Sequence, residues 1–254
     1  MPHELTRRSW LAAAGAGLPL VQATSVHPTS SQPKLKIAVV GGHVDDPQAG
    51  CGGTMALYAN LGHDVVAISL TRGDSTSIAR SLGMSNQELA ARRSADAVRS
   101  CQILKSRMIF LDQVNGDTIV NVSSYDKFGH VLMDQKPAVV FTHWPIDTHR
   151  DHRAASLLTY DAWLRSGRGF ALYFYEVELG TQTHHFRPNH YVEITRVEER
   201  KRRACFANAL TVQGWWPLHE TMQRSRGMEH GCKAAEAFVS HVQARAKGVP
   251  DPLG

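Results

Sequence analysis

Residues 36–47 read KIAVVGGHVDDP, an apolar run followed at once by two glycines, a histidine and two adjacent aspartates. The apolar run predicts a buried strand that ends at the glycines. Two neighbouring carboxylates repel each other unless a cation or a proton lies between them. A divalent metal is the usual cation, with His43 and one carboxylate as ligands and the other carboxylate left to transfer a proton. The alternative is that Asp45 and Asp46 only cap the helix that follows.

The composition predicts one α/β domain of ordinary size. The chain has 254 residues, of which 43% are apolar, and a net charge of +5. The apolar content is enough for a substantial core, and the mild charge without any basic-aromatic module argues against a nucleic-acid partner. The one dense basic run, residues 198–203, opens with two glutamates and is typical of a solvated helix face. The four cysteines are far apart, so no pairing follows from their spacing.

The first 33 residues are expected to lie outside this domain. Arg7 and Arg8 precede an apolar, alanine- and glycine-rich run at 12–21, which ends in small residues near Ala23. This order predicts a secretory signal, and the paired arginines indicate twin-arginine export to the periplasm or the extracellular space. The run is too short for a conventional membrane span, so no stable span is expected after signal removal. A plain disordered tail is the alternative, and in either case the domain is predicted at 34–254.

The pattern of apolar runs predicts a mostly parallel sheet. Strands at 35–41 and 63–70 flank a helix at 54–61, which makes a βαβ unit with a right-handed crossover. The later segments continue the alternation of strands and helices. Further strands are predicted at 108–111, 137–142, 171–177 and 190–194, and further helices at 87–105, 153–164, 197–209 and 232–246.

A second polar cluster follows the strand predicted at 137–142. Residues 143–152 read HWPIDTHRDH, with three histidines and two aspartates. In open α/β sheets, sites form at the carboxyl ends of the strands, near a switch in strand order. The two clusters are therefore expected to converge at one edge of the sheet, and their coincidence indicates a metal site more strongly than either cluster alone.

The two clusters resemble the motifs of the LmbE-like, or PIG-L-type, zinc-dependent N-deacetylases. Residues 43–46 with the CGGT at 51–54 are similar to the family's H-P-D-D signature and its Gly-Gly-Thr segment, and the DTHRDHRAA at 147–155 is similar to D-x-H-x-D-H-x-A-A. The resemblance covers the whole mature region and implies a Rossmann-like, mostly parallel sheet flanked by helices in a single domain. Gln48 stands where many members have a glutamate, which is expected to weaken the support of the metal.

Residue by residue, the resemblance implies Zn²⁺ held by three protein ligands, with an open fourth position that is typical of catalytic sites. The implied ligands are His43, Asp46 and His152. Asp45 is implied as the general base that deprotonates a metal-activated water. His149 is implied to stabilise the oxyanion and to protonate the departing amine, while Asp151 orients that imidazole and raises its pKa.

The resemblance also implies a substrate class. A small-molecule or glycoconjugate amino sugar of the N-acetylglucosamine type is expected, with Arg93 and Arg72 as substrate-binding residues. An amidase that acts on another amide, such as a thiol conjugate or a glycopeptide acyl group, is the alternative, as is a non-catalytic carbohydrate-binding relative. The presence of Asp45 argues against a pure binder, which needs no base. Iron or another divalent metal could use the same ligands, and homo-oligomer formation stays open.

Overall fold

The computed structural model describes residues 33–178 and 180–243. The predicted signal peptide and nearly all of the linker lie outside the described residues. Among the residues that the structure describes, no helix is long and apolar enough to cross a membrane.

Seven strands form one sheet, which confirms the predicted α/β architecture. Its spatial order is β3-β2-β1-β4-β5-β7-β6. The five strands β1 to β5 are mutually parallel, whereas β7 is antiparallel to both of its neighbours. The order reverses between β1 and β4, which is the switch point where such sheets form their sites. The strands are β1 (Lys36–Gly41), β2 (Asp64–Thr71), β3 (Arg107–Gln113), β4 (Val139–His143), β5 (Ala171–Tyr175), β6 (His190–Glu193) and β7 (Ala235–Ser240).

Helices cover both faces of the sheet. Because side chains alternate along a strand, Ile37 and Val39 of β1 pack into one apolar layer, while Ala38 and Val40 pack into the other. Central parallel strands are buried on both faces for this reason. The helices are α1 (Asp46–Asn60), α2 (Thr76–Ser81), α3 (Asn86–Leu104), α4 (Val122–Asp134), α5 (Arg150–Arg165), α6 (Glu198–Phe206) and α7 (Val212–His230).

Helix α1 begins earlier than the sequence predicts. It starts at Asp46, so the glycines that were expected to precede it lie inside it. A Cβ atom on Gly50 would lie 2.4 Å from the Tyr175 ring, and one on Gly53 would lie 2.4 Å from Ile194. These glycines therefore allow the helix to pack closely against its neighbours, and α1 is buried over nearly its whole length.

The helix predicted at 232–246 is wrong. Helix α7 ends at His230, and Gly231 caps it in the left-handed region at φ 79°. Glycine is the residue that most readily takes this conformation. The chain then reverses, and β7 inserts between β5 and β6, where Phe238 is fully buried. The last residues of the predicted helix, from 244 on, lie outside the described part of the chain.

Lys201 and Glu236 form a buried ion pair behind α1. Lys201 Nζ lies 2.7 Å from Glu236 Oε1. The same carboxylate accepts the backbone N–H groups of Gly53 and Thr54, each at 2.8 Å. The prediction of a solvated face at residues 198–203 is therefore wrong at Lys201, which is fully buried. The pair connects β7 and α6 to the middle of α1.

Candidate active site

Three side chains from two segments of the chain converge at the carboxyl ends of β1 and β4. His43 Nδ1 lies 3.2 Å from Asp46 Oδ2 and 3.1 Å from His152 Nε2. Asp46 Oδ2 and His152 Nε2 are 3.4 Å apart. His43 precedes α1, Asp46 opens it, and His152 lies in the first turn of α5. The structure thus brings together the three predicted ligands.

The spacing and chemistry of this triangle fit a divalent metal. Two imidazole nitrogens and one carboxylate oxygen are a common ligand set for Zn²⁺, and ligands about 2.1 Å from a tetrahedral ion lie about 3.4 Å from one another. The observed separations of 3.1, 3.2 and 3.4 Å match that spacing. Three protein ligands leave one position open, as in catalytic zinc sites.

The charges of the site also favour a cation. Burial alone would lower the pKa of His43, but the carboxylates around it, chiefly Asp46 and Asp151, raise that pKa to about 10. Burial alone would raise the pKa of Asp46, yet the imidazoles of His152, His43 and His143 hold it well below its usual range. A buried site that stabilises a proton between carboxylates is suited to a metal ion, which competes with that proton.

Asp147 and Asp151 orient the two histidines from behind. Asp151 Oδ2 lies 3.2 Å from His43 Nε2, and Asp147 Oδ1 lies 3.1 Å from His152 Nδ1. The loop after β3 holds Asp151, because the Gly116 N–H donates to its Oδ2 at 2.6 Å. Carboxylates in this position fix the tautomer of a metal-binding histidine and leave its other nitrogen for the metal.

This arrangement differs from the role predicted for Asp151. Its Oδ2 is 3.9 Å from His149 Nδ1, which is too far for a hydrogen bond. His149 instead caps α5, and its Nδ1 accepts the Asp151 backbone N–H at 3.2 Å. Burial, together with His43 and His152, lowers the pKa of His149 to about 4 despite the opposing effect of Asp151. The ring is therefore neutral at pH 7, with its hydrogen on Nε2.

We expect Asp151→Asn to weaken Zn²⁺ affinity roughly 10- to 100-fold, because loss of the outer carboxylate frees the ligand ring. Competition with a chromogenic chelator measures the affinity. His149→Gln is the matched comparison and is expected to keep the affinity within a few-fold. His149 also lies close enough to His43 and His152 to form another possible ligand triplet. A large loss of Zn²⁺ affinity in His149→Gln would therefore show that His149 is itself a ligand. Unchanged affinity in Asp151→Asn would contradict the role of Asp151.

His143 is a site residue that the sequence reasoning missed. It is the last residue of β4 and is fully buried. Its Nε2 lies 3.0 Å from Asp46 Oδ2, and its ring stacks on His152 at a centroid distance of 4.0 Å. Burial and the neighbouring His152 lower the pKa of His143 to about 4. Its position directly after the predicted strand, at the same edge as the other histidines, was the available signal.

Asp45 does not act as a side-chain cap. It occupies the N-cap position of α1, but its side chain makes no capping hydrogen bond. Arg93 Nη2 instead lies 2.9 Å from each of its oxygens, and Thr211 Oγ1 donates to its Oδ2 at 3.0 Å. The Asp45 carboxylate is therefore held by Arg93 and Thr211 rather than by the backbone of α1, which does not favour the capping alternative.

The two arginines predicted to bind substrate have different surroundings. Arg93 lines the same cavity as the triangle, but its guanidinium is engaged by Asp45 and by the Gly73 carbonyl at 2.9 Å. Arg72 pairs with Asp112 and lies over the Phe110 ring, in a separate surface groove. The structure does not bring Arg72 to the cavity.

Gln48 supports the turn rather than the metal. Its side chain is fully buried. With its amide nitrogen oriented toward the backbone, it donates to the carbonyls of Val44 at 3.0 Å and Asp45 at 3.1 Å. The amide oxygen then faces Cys101. A neutral donor at this position holds the segment that carries Asp45 and Asp46.

A cavity of about 250 Å³ opens over the triangle. Besides the histidines and aspartates, its walls include residues from α1, α2, α3 and the loop after β3, and also from the loop after β5 and from α7. Burial raises the pKa of Glu178 and lowers that of His219 to about 3, so His219 is neutral. The wall residues from these two elements are Val177, Glu178, Gln182, Trp215 and His219.

Fold and site together define an α/β protein with a candidate metal centre at the switch point of its sheet. The family profile of the GlcNAc-PI de-N-acetylases (PIG-L) matches residues 38–163. The chain belongs to this PIG-L, or LmbE-like, deacetylase family.

Three relatives illustrate the range of the fold. The diacetylchitobiose deacetylase of Thermococcus kodakarensis is 27% identical over 222 residues, which cover 82% of each chain. The N,N'-diacetylchitobiose deacetylase of Pyrococcus horikoshii, solved with its inhibitor MPG, has a TM-score of 0.70 at 22% identity, with 82% of this chain and 84% of that chain covered. GalB, the 4-carboxy-2-hydroxymuconate hydratase of Pseudomonas putida KT2440, has a TM-score of 0.71 at 22% identity, with coverages of 81% and 95%. A hydratase shares this fold, so the fold alone does not fix the reaction.

Proposed function

We propose that the protein is a metal-dependent N-deacetylase that removes the acetyl group from an N-acetylglucosamine-type amino sugar, either free or in a glycoconjugate. The observation that carries this proposal is the triangle of His43, Asp46 and His152 with the Asp45 carboxylate beside it in one cavity. Membership of the PIG-L family supports the choice of an amide substrate, and the similarity to diacetylchitobiose deacetylase supports the choice of an amino sugar.

Zn²⁺ is the ion proposed for the triangle, because two imidazoles and one carboxylate suit it. When bound, such an ion polarises an amide carbonyl and makes water more acidic. Fe²⁺ can use the same ligands, so the metal is part of the test below.

Asp45 is the proposed base. Arg93 contacts both of its oxygens and Thr211 contacts only Oδ2, which leaves Oδ1 with fewer partners to receive a proton from the attacking water. The hydroxyl group adds to the carbonyl carbon, and the proton held on Asp45 passes to the amide nitrogen as the carbon–nitrogen bond breaks. The products are acetate and a free amine.

His149 is proposed to stabilise the oxyanion. Because its Nδ1 accepts a backbone N–H, its neutral ring carries a hydrogen on Nε2 that can be donated to the developing negative charge. Burial, together with His43 and His152, lowers the pKa of His149 to about 4, so its neutral ring has no second proton to give to the amine. The final proton transfer is therefore assigned to Asp45, which holds the proton taken from water.

Acetate release is the test. The full chain is assayed against N-acetylglucosamine, N,N'-diacetylchitobiose, an N-acetylglucosaminide, an acylated glycopeptide and an N-acetylated thiol conjugate. It is assayed again after chelation, and after Zn²⁺ or Fe²⁺ is returned. We expect release from the amino sugars that disappears with chelation and returns with metal. Metal-dependent cleavage of only the other amides would establish the alternative amidase. Sugar binding without cleavage of any amide would overturn both.

A further inference from the structure

Thr211 links the proposed base to helix α7. It is the residue directly before α7, and its hydroxyl lies 3.0 Å from Asp45 Oδ2. One turn further along, Trp215 Nε1 lies 3.4 Å from the same hydroxyl. Both residues lie well beyond the segment 38–163 that the family profile matches. The contact therefore joins a family motif to a part of the chain that the profile does not include.

The direction of this hydrogen-bond chain follows from chemistry. An indole N–H only donates, and an ionised carboxylate only accepts. The Thr211 hydroxyl has one hydrogen, so it accepts from Trp215 and donates to Asp45. The hydrogen bond from Trp215 thus favours the orientation of the Thr211 hydroxyl in which its hydrogen points to Asp45 Oδ2.

Thr211 distinguishes the two oxygens of the Asp45 carboxylate, whereas Arg93 does not. Arg93 Nη2 is 2.9 Å from both oxygens of Asp45, so it holds the carboxylate without distinguishing one oxygen from the other. Thr211 contacts Oδ2 alone. It therefore fixes the rotation of the carboxylate and leaves Oδ1 free of that contact. A base held in one orientation has less freedom to lose on reaching the reactive geometry.

We propose that Thr211 is a positioning residue that orients Asp45 for proton transfer, and that Trp215 fixes the direction of the Thr211 hydroxyl. The proposal rests on the proposed function, because it needs Asp45 to act as the base. Trp215 also lines the cavity. A substrate that contacts its ring would therefore touch the hydrogen-bonded chain of Trp215, Thr211 and Asp45.

The test compares four single variants with the wild-type protein. Thr211→Val replaces the hydroxyl by a methyl group, Thr211→Ser restores it, and Trp215→Phe keeps an aromatic ring without the N–H. Thr221→Val is the matched control, because that exposed hydroxyl on α7 contacts only the Pro217 carbonyl. The measurements are kcat and KM for acetate release, zinc content and Tm.

We expect Thr211→Val to lower kcat roughly 10- to 100-fold, which is the scale of losing a hydrogen bond to a charged group. KM, zinc content and Tm should stay near wild type. Thr211→Ser should recover most of kcat, Trp215→Phe should lower it several-fold, and Thr221→Val should leave it unchanged.

The outcomes separate this inference from the function on which it rests. An active wild-type protein with an equally active Thr211→Val variant overturns the positioning role alone. A Thr211→Val variant that loses zinc or stability, without recovery in Thr211→Ser, also overturns it, since the role would then be structural. A wild-type protein that releases no acetate from any amide removes both proposals together.

Discussion

Asp45→Asn is expected to keep its metal and to lose turnover by roughly 10²- to 10⁴-fold, the usual contribution of a positioned general base. An amide cannot take the proton from water, whereas the three ligands of the metal triangle are untouched. Steady-state acetate release and zinc content measure the two effects separately. Near-wild-type turnover in a zinc-loaded Asp45→Asn protein would remove Asp45 from its proposed role.

The Asp45→Asn experiment needs a control, because Asp45 also balances the charge of Arg93. Arg93 is buried against it, and removing one partner of a buried ion pair costs about 3–5 kcal/mol of folding free energy. We therefore expect a lower Tm for Asp45→Asn. The double variant Asp45→Asn/Arg93→Gln removes both charges and should regain stability without regaining turnover. Recovery of turnover in the double variant would show that Asp45→Asn lost turnover because Arg93 was left buried without a counter-charge.

Asp46→Ala is expected to abolish both metal retention and activity, because it removes the only carboxylate of the triangle. In the wild-type protein, Zn²⁺ at a hundred times its Kd should stabilise the fold by about 2.7 kcal/mol. That rise in Tm should be absent in Asp46→Ala. Asp126→Ala, which removes a carboxylate from an exposed ion pair with Arg165, is the matched control and should keep the full zinc effect.

The rise in Tm measures zinc binding independently of catalysis. A zinc-dependent Tm in Asp46→Ala would show that the ion binds without Asp46, for which His43, His149 and His152 form a possible ligand triplet. Loss of the zinc effect in both variants would show that the response follows overall charge rather than the triangle.

Much of the fold was predictable because its signals are local. The strand at β1 and the crossover to β2 follow from apolar runs bounded by glycines, and a crossover of that kind is right-handed and joins parallel strands. Polar clusters after β1 and β4 could be expected to meet because sites form at the switch point. The structure brings these clusters together at that edge of the sheet.

The errors arose where contacts between distant residues decide the outcome. A helix at 232–246 fits the local composition, but the left-handed Gly231 ends α7, and pairing with β5 and β6 makes a strand of Ala235–Ser240. Tertiary context overrides propensity in such segments.

The partners of the candidate site residues were hidden for the same reason. Asp151 bonds His43, which is 108 residues away in sequence, and Arg93 bonds Asp45, which is 48 residues away. Spacing within a motif carries no information on either contact. His143 could have been found from its place at the end of a strand, whereas the contact of Thr211 with Asp45 could not.

The carboxylate of Glu236 has a consequence for how the molecule is made. It accepts two backbone N–H groups in the middle of α1, across sequence separations of 183 and 182 residues. Contacts between such distant residues form late in folding, since their loop entropy must be overcome first. During synthesis, α1 can therefore form its hydrogen bonds to Glu236 only after the chain has been made as far as β7. A chain cut before β7 would leave Lys201 buried without its counter-charge, so the family segment at 38–163 depends for its stability on residues far outside it.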